Sequence, residues 1–542
     1  MSNMFGGQAV VESLYAEGVE TVFGVLGSTL LPVYDALVGH PMQLITPRSE
    51  DGAGHMADAY ARVKGSPGVV LSTAGPGAAG VAAAMGEAYA ESWPMLHIAT
   101  QVPTPYLDKQ KGVYHDGPNQ RQIFRSVSVW DHRVERAEEI PEAIQEAFRI
   151  MRSGRPRPVF LEIPADLLRH SGRFRIATGP TSGVTTELDL RAVDAAAKML
   201  AESKAPVIWA GGGCVKAGAG PELLKLAEML EAPVLCTNGS KGIVSDDHPL
   251  ALGNMATVSD TIRQEVLGQG DVMLGIGTRF SQRATDWWRL ETPPRLIHAD
   301  VDPAEFNLNL PADITVQGDA KAFLSALIDN LRQRGDAAPT WGLDRVAKIK
   351  AKSRAELCAR HPEEFAMLER IRQSLPRDAI IAAQSTLGHW CRFGLDCYEP
   401  RKFMFASSYG SMGFAFHAAI GAKIAAPEKT VAAFCGDGGF MMGCGELATI
   451  AQLGLNIPIV IVNNGGFGIL RARQTKNFGR TIGTDLINPD FLKLAAAFDF
   501  EASRIKDLSQ LGTALKKALE SGKPQVIEVP VLFGDYRAGA IQ

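Results

Sequence analysis

CGDGGFMMGCGELATIAQLGLNIPIVIVNNGGFGILR, residues Cys435–Arg471, is the stretch that decides how this chain is read. Val431 to Cys435 is a short apolar run suited to a buried parallel strand, and it stops at Gly436-Asp437-Gly438-Gly439, where glycines let a backbone approach a ligand closely. Residues 440 to 453 carry helical periodicity, so a helix start there presents unpaired N–H groups and a favourable dipole to a diphosphate. The β-branched strand Ile459 to Val462 then delivers Asn464 to the same end of the sheet. Mg2+ takes oxygen ligands from few protein groups together with substrate phosphates, which suits Asp437, the Asn464 amide oxygen and one backbone carbonyl. Alone, GDGG is an ordinary strand-to-helix turn and Asn463-Asn464 a loop; their joint spacing favours a clasp for Mg2+ and a diphosphate.

The segment resembles the thiamin diphosphate (ThDP) motif of the family that includes acetohydroxyacid synthase, pyruvate oxidase, benzoylformate decarboxylase and pyruvate decarboxylase. The resemblance covers essentially the whole chain. It implies that Asp437, Asn464 and the carbonyl of Gly466 are the protein ligands of Mg2+, and that Gly438 and Gly439 contact phosphate.

Composition fits such an enzyme. The 542 residues exceed one hydrophobic core and suggest about three domains. With 55 basic and 59 acidic residues the net charge is −4, and no basic run exceeds Arg152 to Arg157, which reads as a solvated helix end; nucleic-acid binding is not expected. Seven cysteines without a CxxC pair read as buried thiols of a reducing compartment, so a cytoplasmic location is expected. The N-terminal MSNMFGGQAVVESLYAEGVE reads as an amphipathic helix rather than a signal peptide, and no apolar stretch reaches membrane-spanning length.

Strand–helix alternation predicts an α/β chain with parallel sheets. Composition shifts at Thr178 to Gly183 and Arg332 to Thr340 are candidate linkers. They leave pieces 1–177, 188–332 and 345–542, which the resemblance names as Rossmann-like pyrimidine-binding, central and diphosphate-binding domains. In the central piece AGGGCVKAG follows the strand Pro206 to Ala210, by itself a weak nucleotide signal. Related flavoproteins place FAD there, near segments matching Gly277-Thr278-Arg279-Phe280 and Asp300-Val301-Asp302-Pro303, but the expected Gly-His-Gly stretch is Asn254-Met255-Ala256-Thr257, which leaves FAD open.

In PRSEDGAGHMADAYAR, Glu50 follows the strand Met42 to Thr46 and is, on sequence alone, an ordinary first-turn acid. The resemblance makes it the acid that activates the cofactor: a carboxylate bonded to the aminopyrimidine favours the imino tautomer that takes the proton from the thiazolium C2. In FASSYGSMGFAFHAAIGA the resemblance makes Met412 the apolar wedge under the bent cofactor and Gly410 a backbone neighbour of the aminopyrimidine; His417 replaces a residue that is usually proline. In this family Glu50 and the Asp437 clasp come from different subunits, so at least a homodimer, and commonly a tetramer, is implied.

Around the reacting carbon the chain departs from its relatives. Ser28 either bonds a substrate carboxylate or caps a helix. His115, in GVYHDGPNQRQIF, stands where a proton donor or carbonyl orienter is wanted, and Gln120 is a second candidate of that kind. Arg473 replaces the tryptophan of the acceptor pocket in acetohydroxyacid synthases and either pairs with an anionic substrate or points to solvent. The reading is an acetolactate-synthase-like enzyme that decarboxylates a 2-oxo acid and releases an aldehyde or joins the fragment to a second carbonyl. The alternatives are a ThDP lyase acting on a 2-hydroxyacyl thioester or a diketone, a nucleotide-dependent oxidoreductase, and a non-catalytic regulatory homologue, the last expected to have lost Glu50, Asp437 or Asn464.

Overall fold

The computed structural model describes residues 2–117, 119–254, 259–335 and 340–530. Met255, Ala256 and Thr257 of the expected flavin segment, residues 336–339 of the second linker and residues 531–542 lie outside the described residues. The apolar runs form three six-stranded sheets, every pairing parallel, as the alternation predicts. Strands such as Gly68–Ser72, Met95–Gln101 and Val431–Gly436 are buried along their whole length, which is why they read as continuous apolar runs.

The chain divides into two compact units. The first takes residues up to Thr185 together with Ala406–Glu428 and Met441–Leu455. Its sheet runs Gln43–Ile45, Thr21–Phe23, Gly68–Ser72, Met95–Gln101, Val159–Pro164, Trp130–Arg133. The strand order reverses between Thr21–Phe23 and Gly68–Ser72, and a ligand crevice is expected beyond the carboxyl ends at such a point. The helix Glu50–Lys64, buried from Gly52 to Arg62, packs against the helix Phe414–Ala425. That crossing is close: a Cβ on Gly421 would stand 2.1 Å from the Met56 carbonyl oxygen. His55 and His417 stack across it with ring centres 6.0 Å apart, both kept neutral by burial, which pushes His417 down to about 4.

The second unit takes Thr186–Phe405, Lys429–Phe440 and the described residues from Asn456 onward. One of its sheets runs Ala251–Asn254, Val234–Cys236, Pro206–Ala210, Val272–Ile276, Arg295–Asp300, Ile314–Gln317, the order of a dinucleotide fold. The other runs Phe403–Phe405, Ile380–Ala383, Val431–Gly436, Pro458–Asn463, Gln525–Pro530, Glu501–Arg504. It repeats the order of the first unit's sheet and reverses between Ile380–Ala383 and Val431–Gly436. Phe434, Val460 and Ile527 are fully buried in its core, each side chain contributing about 1.5–3 kcal/mol.

Three local expectations are corrected. The N-terminal segment begins as a strand, Ser2–Phe5, paired antiparallel with Ser171–Phe174, before its helix Gly6–Ala16. The single helix expected over 440–453 is a helix Asp437–Met441, a 3-10 turn Cys444–Glu446 and a helix Leu447–Leu453, because Gly443 and Gly445 interrupt it. The run Arg152 to Arg157 is not a solvated helix end: Arg152 pairs with buried Glu17, Arg155 donates to Ser92 Oγ at 2.8 Å, and Arg157 lies 4.4 Å over the Tyr89 ring. Within the candidate linker at 178–183, Thr181 donates through its N–H (2.9 Å) and hydroxyl (2.5 Å) to Glu17.

Candidate active site

In the second unit, strand Val431–Gly436 ends at Asp437, which is 2% exposed, and its parallel neighbour Pro458–Asn463 delivers Asn464 to the same edge. Asp437 Oδ2 accepts the Gly466 N–H at 2.8 Å and Asn488 Nδ2 at 2.6 Å; its Oδ1 takes no hydrogen bond among the described residues. Asn464 Oδ1 is buried with no hydrogen-bond partner among the described residues. An orphaned buried acceptor costs about 1–3 kcal/mol, and a cation satisfies it. Gly466 holds this turn at φ +147°, and a Cβ there would stand 1.9 Å from Thr484 O; only glycine fits. Arg471 braces the turn, donating to the carbonyls of Asn464 (3.2 Å) and Gly465 (3.0 Å) and pairing with Asp485 at 2.7 Å. Gly438 and Gly439 form the first turn of the helix Asp437–Met441, where N–H groups have no partner within the helix. Gln384 and Ser385, at the end of the neighbouring strand, face Gly439 and Gly436. The donor set, one carboxylate with amide and carbonyl oxygens, matches Mg2+ beside a diphosphate.

Arg473 is exposed on the helix Gly468–Phe478, which buries none of its residues, and it makes no ion pair among the described residues. His389 is pushed down to about 3 by burial and then by the positive charges of Arg392, Arg283 and Arg473. In the dinucleotide-type sheet, the N–H groups of Gly211 and Gly213 are spent on the carbonyls of Ile276 (2.8 Å) and Gly277 (3.0 Å).

In the first unit Glu50 opens the helix Glu50–Lys64 behind Ser49, whose Oγ accepts the Gly52 N–H at 3.0 Å. Its half-buried carboxylate makes no hydrogen bond or ion pair among the described residues, and it lies against Gly77 and Gly80. Buried Glu446 fixes the approach, accepting the Arg48 N–H at 2.9 and 3.1 Å and Ser49 Oγ at 3.2 Å. Ser28 is exposed in the turn Ser28–Leu30, and no side-chain cap is made there; its neighbour Thr29 bonds Thr73 and Thr100 at 2.7 and 2.6 Å. His115 has φ +66°, stacks on Tyr114 at 3.9 Å and puts Nδ1 3.5 Å from Thr73 Oγ1. Thr73 thus gathers Ser28's turn, His115 and the Gly77 backing of Glu50 at the switch point. Gln120 is buried differently: its amide is committed to the Gly75 N–H (2.8 Å), the Thr100 carbonyl (3.0 Å) and Glu162 (2.9 Å). These bonds tie it to the Gly75 turn, against which His115 packs.

Also in the first unit, the N–H groups of Gly410 and Ser411 donate to Glu87 Oε2 at 3.0 and 3.2 Å, leaving Met412 41% exposed. Burial, then Glu91, raises the Glu87 carboxyl to about 7. A free carboxylate at Glu50 and an uncovered apolar side chain at Met412 suit the amino-substituted and apolar faces of a pyrimidine ring. Glu446, Glu87, Gln384 and Asn488 escaped the sequence reading because each acts on a residue far away in the chain; a buried acid in an otherwise apolar stretch, as in GELATIA, is the one local signal.

Three domain models match the chain: thiamine pyrophosphate enzyme, N-terminal TPP binding domain over residues 4–123, central domain over 193–327, and C-terminal TPP binding domain over 385–529. The chain is 34% identical to the probable acetolactate synthase large subunit of Methanocaldococcus jannaschii, over 97% of this chain and 92% of that protein. It is 35% identical to the probable 2-ketoarginine decarboxylase AruI of Pseudomonas aeruginosa, over 96% and 93%, and 32% identical to the acetolactate synthase isozyme 2 large subunit of Escherichia coli, over 97% and 96%.

Proposed function

Because the chain belongs to the thiamine pyrophosphate enzyme family, we propose that it uses ThDP and Mg2+ to decarboxylate a 2-oxo acid, releasing an aldehyde or ligating the fragment to a second carbonyl. The observation that carries this is the clasp: buried Asp437, with one oxygen unclaimed among the described residues, at the same sheet edge as Asn464, whose buried Oδ1 has no partner there. Asp437, Asn464 and the Gly466 carbonyl would hold the cation, and Gly438 and Gly439 the diphosphate. ThDP, when bound, supplies a nucleophilic carbon and an acceptor for the electron pair left by the departing carboxylate. Glu50 exchanges a proton with the pyrimidine ring. Ser28 and His115 orient the substrate carboxylate or carbonyl, and Gln120 positions the Gly75 turn behind them. Glu87 holds the Gly410-Ser411 backbone that precedes Met412.

Arg473, exposed and without an ion pair among the described residues, favours a substrate bearing a further anionic group. Relatives named for carboligation and for 2-keto acid decarboxylation keep both outcomes in view. The three domains, 1–177, 188–332 and 345–542, a homodimer with tetramers as its further assembly, and a cytoplasmic location belong to the same reading. Among the described residues no helix is long and apolar enough to cross a membrane. Dimerisation is supported by the helix Gly468–Phe478 and the turn after it, where Leu470, Phe478, Ile482 and Ile487 are all exposed.

A panel of 2-oxo acids offered to the ThDP- and Mg2+-loaded protein, with carbon dioxide and organic products followed by mass spectrometry, tests the proposal. Carbon dioxide with an aldehyde marks a decarboxylase, and carbon dioxide with a 2-hydroxy ketone or acetohydroxy acid marks a carboligase. No carbon dioxide from any acid overturns the reading and leaves cleavage of an acyl thioester or diketone.

A further inference from the structure

We propose that Asn488 is a positioning residue of the cation site, orienting Asp437 so that Oδ1 alone meets the metal; the inference rests on the clasp reading above. Asn488 reaches the site from the segment that follows the helix Gly468–Phe478. Its Nδ2 spends one N–H on Asp437 Oδ2 at 2.6 Å and the other on Asn463 Oδ1 at 2.9 Å. The polarity of this chain of amides is fixed from its far end. Asn463 Nδ2 donates to Glu528 Oε1 at 2.8 Å, and Glu528 Oε2 accepts Arg504 Nε at 2.8 Å. Asn463 Oδ1 must therefore accept, and Asn488 must donate to it. Donation to Asp437 follows, because an ionised carboxylate only accepts.

Oδ2 of Asp437 is then filled by two donors, Asn488 and the Gly466 N–H. The carboxylate cannot rotate without losing both, so its other oxygen is held in a fixed direction at the strand edge that also carries Asn464. The neighbouring backbone holds the same segment down: Thr484 O accepts the Phe467 N–H, and the Leu486 N–H donates to Gly465 O, both at 2.8 Å. Mg2+ requires near-octahedral geometry with short bonds, whereas Ca2+ accepts irregular and bidentate carboxylate coordination. A carboxylate locked to one oxygen should therefore favour the smaller ion.

The test is equilibrium dialysis of the full chain with ThDP against Mg2+ or Ca2+, for the unaltered protein, Asn488→Ala and the similarly shaped Asn488→Leu, with Asp437→Ala as control. In the Asn488 variants the Mg2+ dissociation constant should rise about 10- to 100-fold, the usual effect of losing an outer-sphere partner. The Ca2+ constant should rise much less, so the preference for Mg2+ shrinks. A purely structural role would lower the melting temperature and weaken both ions by one factor; that result, or unchanged constants, overturns the inference. If the unaltered chain binds no Mg2+, or Asp437→Ala binds it as well, the clasp reading itself falls and takes the inference with it. Should Asn488→Ala fail to fold, the Asn488→Leu constants decide alone.

Discussion

Replacing Glu50 by glutamine keeps the size of the side chain and removes a carboxylate that makes no hydrogen bond or ion pair among the described residues. Glu50→Gln is expected to retain ThDP while proton exchange at its C2 carbon, followed by deuterium exchange and NMR, slows about 10^2- to 10^4-fold. Normal exchange would remove Glu50 from the mechanism. Glu87 gives a different residue-level expectation. Folded, it keeps its proton up to about pH 7, whereas unfolded it releases it near pH ~4.5. Between those values the folded state binds more protons, so stability falls as pH rises through that window and stays lower above it. Glu87→Gln should flatten this slope, worth about 1–3 kcal/mol, in urea midpoints compared at pH 5 and pH 8. Asp51, raised to about 6 by burial and Glu446, adds a slope of the same sign that the comparison leaves in place.

Among the elements, the strands and their glycine exits were legible because their signals are local. An apolar run ending in GDGG or NNGG states its own burial and its own turn. Helix 440–453 was not, since its periodicity survives the glycines that break it, and the 3-10 turn exists to aim Glu446 at Arg48 and Ser49, partners at the other end of the sequence. The surroundings of Gln120 are non-local too: only the fold shows its amide bonded to Gly75, Thr100 and Glu162. The helix pair Glu50–Lys64 and Phe414–Ala425 is equally non-local. Gly421→Val should clash with the Met56 carbonyl and cost about 1–3 kcal/mol, read as a lower melting temperature. An unchanged melt would mean the helices part without penalty.

At the scale of the whole molecule, the proposed sharing of Glu50 and Asp437 between subunits makes an arithmetic prediction. Glu50→Gln and Asp437→Ala are each expected to be inactive, the second losing ThDP and Mg2+ together. Unfolded and refolded as a mixture, they form dimers of which about half are mixed, and each mixed dimer has one intact site. Roughly a quarter of normal activity should return; none returning would place both residues in a site made by one chain.

The first unit draws its last pieces from Ala406–Glu428 and Met441–Leu455, and this has a consequence for how the protein is made. A nascent chain that has finished Lys64 must wait for Phe414–Ala425 before the buried face of the helix Glu50–Lys64 is covered. At ordinary rates of synthesis that wait is on the order of half a minute. For that time His55, Met56 and their neighbours present an apolar stripe to the ribosome's surroundings, so early release of the chain should favour aggregation over a stable fragment, and a holding chaperone should be most needed midway through translation.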